Sequence, residues 1–430
     1  MFYRRVKSAL GRLANRPIPA SWLSHVGEPL FRLMGKRRGP AELDLSQVKS
    51  VLVVRLDEIG DLVMTTPFLR ELRHNLQDAW ITLAVDEKTY NLAEHCPYVD
   101  EVLVHRGRVP GRFGGIKNFM RTFDFARRHF WRRRLDLAIV PRWDADHNYA
   151  TYLAYLSGAA WRVGFSERVI PSKAGLNAGY DSLFTHTVDD PRLKHEVGHS
   201  LDLISAMGGT VRRIGLEFWC RQADEDFARQ VLEEHGVGPE DRLVALSASG
   251  GNSRLKQWPV ENFVEVADWL ETDYGLRVVL LGGPADIPLG RRVRTGLGPS
   301  VIDMTGKTTL RQAGALLMEC CLYVGADTGL MHLAASCGTP VAAVFGASCP
   351  HRFGPWGRRH KVLSASLPCG PCHGGSHIDR CGPCPHAEPI CMRSIPPALV
   401  KAAISKQLVS LGEFPPPPRE VPMEDPALIC

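Results

Sequence analysis

No stretch of this 430-residue chain approaches the ~18 uninterrupted apolar residues that a membrane-spanning helix needs. The N-terminus has no apolar core followed by small residues, so no secretory signal is expected and the chain reads as cytosolic. Self-similarity with a period of about 20–50 residues is missing, which argues against a solenoid. No nucleic-acid-binding module is recognisable, and nucleic acid is not expected as a partner. Nicotinamide enzymes bring three spaced glycines against a pyrophosphate, whereas the turn at residues 55–61, RLDEIGD, has one. That argues against an oxidoreductase. What remains is ordinary for a soluble globular protein: 44% hydrophobic and 23% charged residues. The length predicts two domains of about 100–200 residues each.

Acidic residues are scarce at the start. Residues 1–40 hold nine cations against Glu28 alone, while the whole chain carries a net charge of +6. Interleaved with those cations are Phe2, Tyr3, Leu10, Leu13, Trp22, Leu23, Phe31 and Leu33. A basic amphipathic leader of this kind suits an anionic inner-membrane surface; a solvated arm is the plainer alternative. A second basic region follows at residues 105–136. Arg106, Arg108, Arg112 and Lys117 lie in its Gly-rich part and suit a polyanionic acceptor, since the planar guanidinium pairs bidentately with carboxylate or phosphate. Arg127, Arg128, Arg132, Arg133 and Arg134 fall in a predicted helix. The last residues, 413–430, are Pro-rich and acidic and are expected to be disordered.

The chemistry is written in three junctions of one kind. Residues 322–325 read as a strand, Asp327-Thr328-Gly329 as a turn, and residues 331–337 as a small-residue helix containing His332. A strand feeding a helix start presents unpaired N–H groups and the positive end of a dipole, which suits phosphate. Gly329 allows close backbone approach, Thr328 adds a donor, and Asp327 orients the loop or binds a sugar hydroxyl. Residues 244–249 form a second strand, running through Gly250-Gly251 to Lys256, a cation for a diphosphate. Residues 277–281 form a third, opening into Gly282-Gly283 with Asp286 placed to accept from sugar or ribose hydroxyls. Such repeats predict an α/β, doubly wound parallel sheet with its ligand beyond the strands' carboxyl ends. The earlier half offers a strand at 51–56, the turn DEIGD, and a helix from about residue 66 to 75.

Five of the twelve cysteines crowd into residues 369–391. Cys369, Cys372, Cys381 and Cys384 form two CxxC pairs, followed by Cys391, with His373, His377 and His386 nearby. This spacing fits a structural zinc; free thiols, an iron–sulfur cluster or disulfides are the alternatives. Cys96, Cys220, Cys320, Cys321, Cys337 and Cys349 sit in apolar contexts and read as buried thiols.

Taken in order, RLDEIGDLVMTTPFLRELR, LKQWPVENF, LLGGPAD, DMTGKTTLRQAGALL and GADTGLMHLAASCGTPVAAVFGAS resemble glycosyltransferase family 9, the lipopolysaccharide heptosyltransferases, over residues 51–408. The resemblance implies a GT-B fold, two Rossmann-like domains facing an interdomain cleft. The expected divisions are a leader at 1–45, an acceptor-binding domain at 46–215, a nucleotide-sugar-binding domain at 216–412 with a Cys-rich insertion at 366–392, and a tail at 413–430. It further implies a heptose moved from ADP-heptose to a lipopolysaccharide-core or related glycolipid, with Asp61 as general base and no catalytic cofactor. Asp57 joins the basic residues on the acceptor side. The family's related cysteines match Cys369, Cys372, Cys384 and Cys391, and Cys381 looks like an addition. One departure is Asp57-Glu58, where the family commonly has small hydroxyl residues. Asp144-Ala145-Asp146 imitates a metal-binding DxD and reads as acceptor-side or surface. Another nucleotide sugar for a different surface glycan remains an alternative, as does a Cys-rich metal-binding interaction protein on a degenerate scaffold.

Overall fold

The Val/Ile/Leu-rich runs of this chain are too apolar to face water on either side, and each finds a place in a sheet covered on both faces. The computed structural model describes residues 19–33, 42–111, 113–251, 253–372 and 384–412. It divides into two compact units, Met1–Arg192 with Glu196–Ile214, and Leu193–His195 with Gly215–Cys430.

The first unit holds six parallel strands: β1 (Ser50–Arg55), β2 (Trp80–Asp86), β3 (Glu101–His105), β4 (Leu137–Val140), β5 (Trp161–Phe165) and β6 (His186–Val188). Their order is β3-β2-β1-β4-β5-β6, so the winding reverses between β1 and β4. Counting helices of seven residues or more, α1 (Ala20–Leu33), α2 (Ile59–Asn75), α3 (Gly114–His129), α4 (Ala150–Leu156) and α5 (Glu196–Ala206) belong here. Side chains alternate along a strand. Leu52, Val54, Ala138 and Val140 therefore share one core with α1, α3 and α4.

Helix α2 starts at Ile59, seven residues before the expected start at residue 66. The carboxylate of Asp61 accepts the Glu58 N–H at 3.1 Å, which closes the first turn across the Gly60-Asp61 break in the apolar pattern. Helix α3 ends at His129, so Arg132, Arg133 and Arg134 lie beyond it in a turn, where Arg133 pairs with Glu101. Part of the leader also departs from a free arm. Ala20, Leu23, Gly27 and Phe31 of α1 are buried, the Tyr155 hydroxyl donates to Leu23 O at 3.2 Å, and the Tyr155 ring lies where a side chain at residue 27 would stand. Residues 1–18, 34–41 and the tail from 413 lie outside the described residues.

The second unit repeats the plan with β7 (Arg242–Ser247), β8 (Leu276–Leu280), β9 (Ile302–Asp303), β10 (Cys320–Ala326), β11 (Val341–Phe345) and β12 (Lys361–Ser364). Here the order is β12-β11-β10-β7-β8-β9, and the reversal falls between β7 and β10. Its helices are α6 (Gln222–Glu234), α7 (Val260–Tyr274), α8 (Ile287–Leu297), α9 (Leu310–Met318), α10 (Gly329–Ser336) and α11 (Pro397–Ser410). Helices α7 and α11 cover one sheet face around the buried Trp258, whose indole donates to Ile395 O at 2.9 Å. Ligands of open parallel sheets gather outside the carboxyl ends of the strands at such a reversal. Each unit has one.

Candidate functional site

At the reversal in the first unit, β1 delivers the buried Arg55 and Asp57, and β4 delivers the half-buried Arg142. Arg55 Nη1 donates to Pro141 O at 2.7 Å and lies 3.3 Å from Asp57 Oδ2, while its Nη2 lies 3.3 Å from Asp61 Oδ1. Arg142 pairs with the other Asp57 oxygen and with Asp144, and Asn148 Nδ2 donates to Asp57 at 3.2 Å. Asp57 is thus neutralised by two guanidinium groups and an amide. Asp61 pairs with Arg55, and Arg142 acts on it from farther off. Burial pushes the Asp61 carboxyl up to about 6; Arg55 pulls it down and the neighbouring Asp57 charge adds to the rise. The two carboxylates thus stand side by side in different environments: Asp57 is held by both guanidinium groups, and the Asp61 carboxyl is raised towards neutral pH.

Asp146 corrects the surface alternative for the DxD. It is buried and accepts the N–H groups of Asn148, Ala150 and Thr151 at 3.0, 3.2 and 2.8 Å, which makes it a fastener for the start of α4. Asp144 is occupied by Arg142. Arg106 and Arg108 border a small hollow together with Asn148 and Tyr149, and so come near Asp57 through the Asn148 amide. Lys117 is exposed on α3 and is not among that hollow's lining. Arg112 lies outside the described residues.

Lys173 was not singled out from the sequence, and it holds this arrangement from behind. Its buried Nζ donates to Arg142 O, Trp143 O and Phe165 O at 3.3, 3.0 and 3.0 Å, and burial lowers its pKa to about 8. Removing the ammonium strands three buried carbonyls. Lys173→Met is therefore expected to destabilise the protein by ~2–4 kcal/mol, read as a fall in the urea midpoint at constant m-value. An unchanged midpoint would show that water takes over the carbonyls.

The reversal in the second unit carries the other set. After β7 the chain passes Ser249 and the two glycines; Gly251 takes φ +61, open to glycine, and a Cβ on Gly250 would stand 3.0 Å from Gln257 N. The loop returns Lys256 to Asp327, Nζ to Oδ2 2.6 Å, and Asp327 faces His332 Nε2 at 3.8 Å. Thr328 is the N-cap of α10 but does not cap it with its hydroxyl. Ser247, Tyr323 and Thr328 hydroxyls are buried against one another, and burial pushes the Tyr323 phenol up to about 12. The buried hydroxyls of Thr305 and Ser348, which follow β9 and β11, have no partner among the described residues. Asp286, after β8, accepts the Gly283 N–H at 2.9 Å. Lys256, Asp327, Thr328, Gly329 and His332 are thus brought together, with Asp286 two strands away in the same sheet.

The thiols of Cys369, Cys372, Cys384 and Cys391 lie close enough to repel one another as thiolates, and burial raises Cys372 and Cys391. Among the described residues, no three His, Cys, Asp or Glu side chains are disposed to hold a metal ion. His373, His377 and Cys381 lie outside those residues. Of the remaining cysteines, Cys96, Cys320 and Cys349 are buried, and Cys220, Cys321 and Cys337 are partly so.

The sequence profile of glycosyltransferase family 9 (heptosyltransferase) matches residues 145–380, more than half of the chain. Lipopolysaccharide heptosyltransferase 3 of Escherichia coli K12 is 24% identical over 308 residues, 69% of this chain and 82% of that protein. Among solved structures, a family 9 glycosyl transferase from Veillonella parvula superposes with a TM-score of 0.69 at 24% identity, over 86% of this chain and 99% of its own. E. coli ADP-heptose lps heptosyltransferase II gives 0.62 at 18% identity, over 84% and 99%. These structures share the fold.

Proposed function

The chain belongs to glycosyltransferase family 9, and from that premise we propose that it moves a heptose from ADP-heptose to a hydroxyl of a lipopolysaccharide-core glycolipid. The observation that carries the reading is the division of labour between the carboxylates after β1, with Asp57 fixed by Arg55 and Arg142 and Asp61 left to titrate near 6. Unit one serves as the acceptor side and unit two as the nucleotide-sugar side. The acceptor hydroxyl passes its proton to Asp61 as its oxygen bonds to the anomeric carbon. The bond from that carbon to the diphosphate breaks, and the electron pair leaves on ADP. Lys256 and the first N–H groups of α10 stabilise that growing charge. Base and charge stabiliser are both side-chain or backbone groups, so the step calls on no catalytic cofactor. Arg106 and Arg108 meet the anionic groups of the acceptor.

Because the acceptor is lipid-linked, the protein resides peripherally at the inner face of the cell membrane; no helix among the described residues is long and apolar enough to cross it. The test in the host is the mass of its core glycolipid with and without this chain. Loss of one heptose on removal supports the reading; an unchanged glycolipid argues for another acceptor.

We propose that Cys369 and Cys372, a CxxC pair, together with Cys384 and Cys391 would hold a structural zinc, since a set of thiolates suits that ion. Metal analysis of the purified protein is expected to return stoichiometric zinc that Cys384→Ser removes with a fall in thermal midpoint. Metal-free protein of the same stability would leave the cysteines as plain thiols.

A further inference from the structure

Helix α1 has apolar side chains on both of its faces. One face, Ala20, Leu23, Gly27 and Phe31, is buried in the first unit. The other carries Trp22, Val26, Leu30 and Leu33, which are 57%, 50%, 43% and 86% exposed. Their spacing of four, four and three residues lines them along one side of the helix. Continuous exposed apolar stripes mark an interaction surface, whereas isolated exposed leucines do not. The charges around it point to the partner. Glu28, the one acid of α1, is turned to the buried guanidinium of Arg162 at 2.7 Å, while Arg32 stays exposed. The other eight cations of residues 1–40 lie in the sequence on either side of the helix.

We propose that this stripe is the membrane-contacting face of the protein, seated among the headgroups of an anionic leaflet with Arg32 on the phosphates. The proposal rests on the peripheral-membrane reading above and names the surface that performs it. It replaces the picture of a loose arm with a docked one: Leu23 and Phe31 are spent on the core and are not available to lipid, so the apolar contribution comes from the outer four side chains. The helix is fastened to the unit that carries Asp61, so lipid contact sets the orientation of that unit against the surface holding its acceptor. A second copy is a poorer occupant, because a stable dimer takes about 20–30 residues a side and the stripe offers four.

The test uses the full chain and flotation with phosphatidylethanolamine vesicles, with and without phosphatidylglycerol. Trp22→Ser with Leu30→Ser removes exposed side chains only, so the thermal midpoint and transfer to a detergent-dispersed acceptor are expected to be unchanged. Binding to the anionic vesicles is expected to fall about tenfold or more, and high salt to release the parent protein only in part. A double variant that floats like the parent overturns the stripe while leaving membrane residence standing. A parent that ignores anionic vesicles at low salt overturns both. A parent dimer that the double substitution dissociates assigns the face to self-association instead.

Discussion

Asp61→Asn is expected to lower turnover about 100-fold or more, the scale of losing a general base, and at the same time to make the protein more stable. The two effects have one cause. Burial raises the Asp61 carboxyl from the ordinary 3.8 to about 6, so the folded state resists its ionisation. The unfolded chain gives up this proton more readily, and the ionised form therefore costs folded stability. That cost grows as pH rises from about 4 to about 6 and is constant above. Asn mimics the neutral acid, so at pH 7 the variant gains ~1–3 kcal/mol. In the parent, turnover climbs as pH passes about 6, since the base must be ionised to act. Loss of turnover with no gain in stability points to a structural role through the Glu58 N–H; near-normal turnover rejects the base altogether and turns attention to Asp57.

Lys256→Ala is expected to weaken ADP binding about 10–100-fold, or ~1.4–2.8 kcal/mol, as suits the loss of a charge-assisted contact to a diphosphate. Transfer slows as well, because charge accumulates on the leaving group. The geometry adds a complication. Lys256 Nζ is 2.6 Å from the buried Asp327, and removing it leaves a naked carboxylate beside the phosphates. Lys256→Ala with Asp327→Asn separates the two contributions: affinity regained in the double variant is the part due to repulsion by Asp327, and the remainder belongs to the missing ammonium. Calorimetry with ADP reads both. An affinity untouched by either change removes Lys256 from the nucleotide site.

The strand ends that carry these residues are legible in the sequence because each pairs an apolar run with glycine, hydroxyl or acid at the turn. Such junctions are local, and local patterns survive in a single sequence. The start of α2 is less legible, since Gly60 and Asp61 in its first turn resemble a loop, and the turn is fixed by the Glu58 N–H donating to the Asp61 carboxylate. Helix α1 misleads for the opposite reason: apolar on two sides, it gives no sign of which side packs. The ring of charge around Asp57 is out of reach, because Arg142 stands 85 residues from it and meets it only when β4 is laid beside β1. Lys173 is hidden in the same way, as its acceptors are main-chain carbonyls that leave no mark on side-chain pattern. The reversal rule was the one available signal for Arg142. Once β1 and β4 are taken as neighbours, a charged residue just past the end of β4 belongs to the site.

Heptosyl transfer with Asp61 as the base is open to one direct assay. Purified protein is incubated with ADP-heptose and a core glycolipid lacking its outer heptose, and the acceptor is weighed by mass spectrometry beside the Asp61→Asn variant. The expected result is an acceptor heavier by one heptose with the parent, free ADP in equal amount, and almost none of either with the variant. An acceptor of unchanged mass with the parent, or full conversion with the variant, would contradict it.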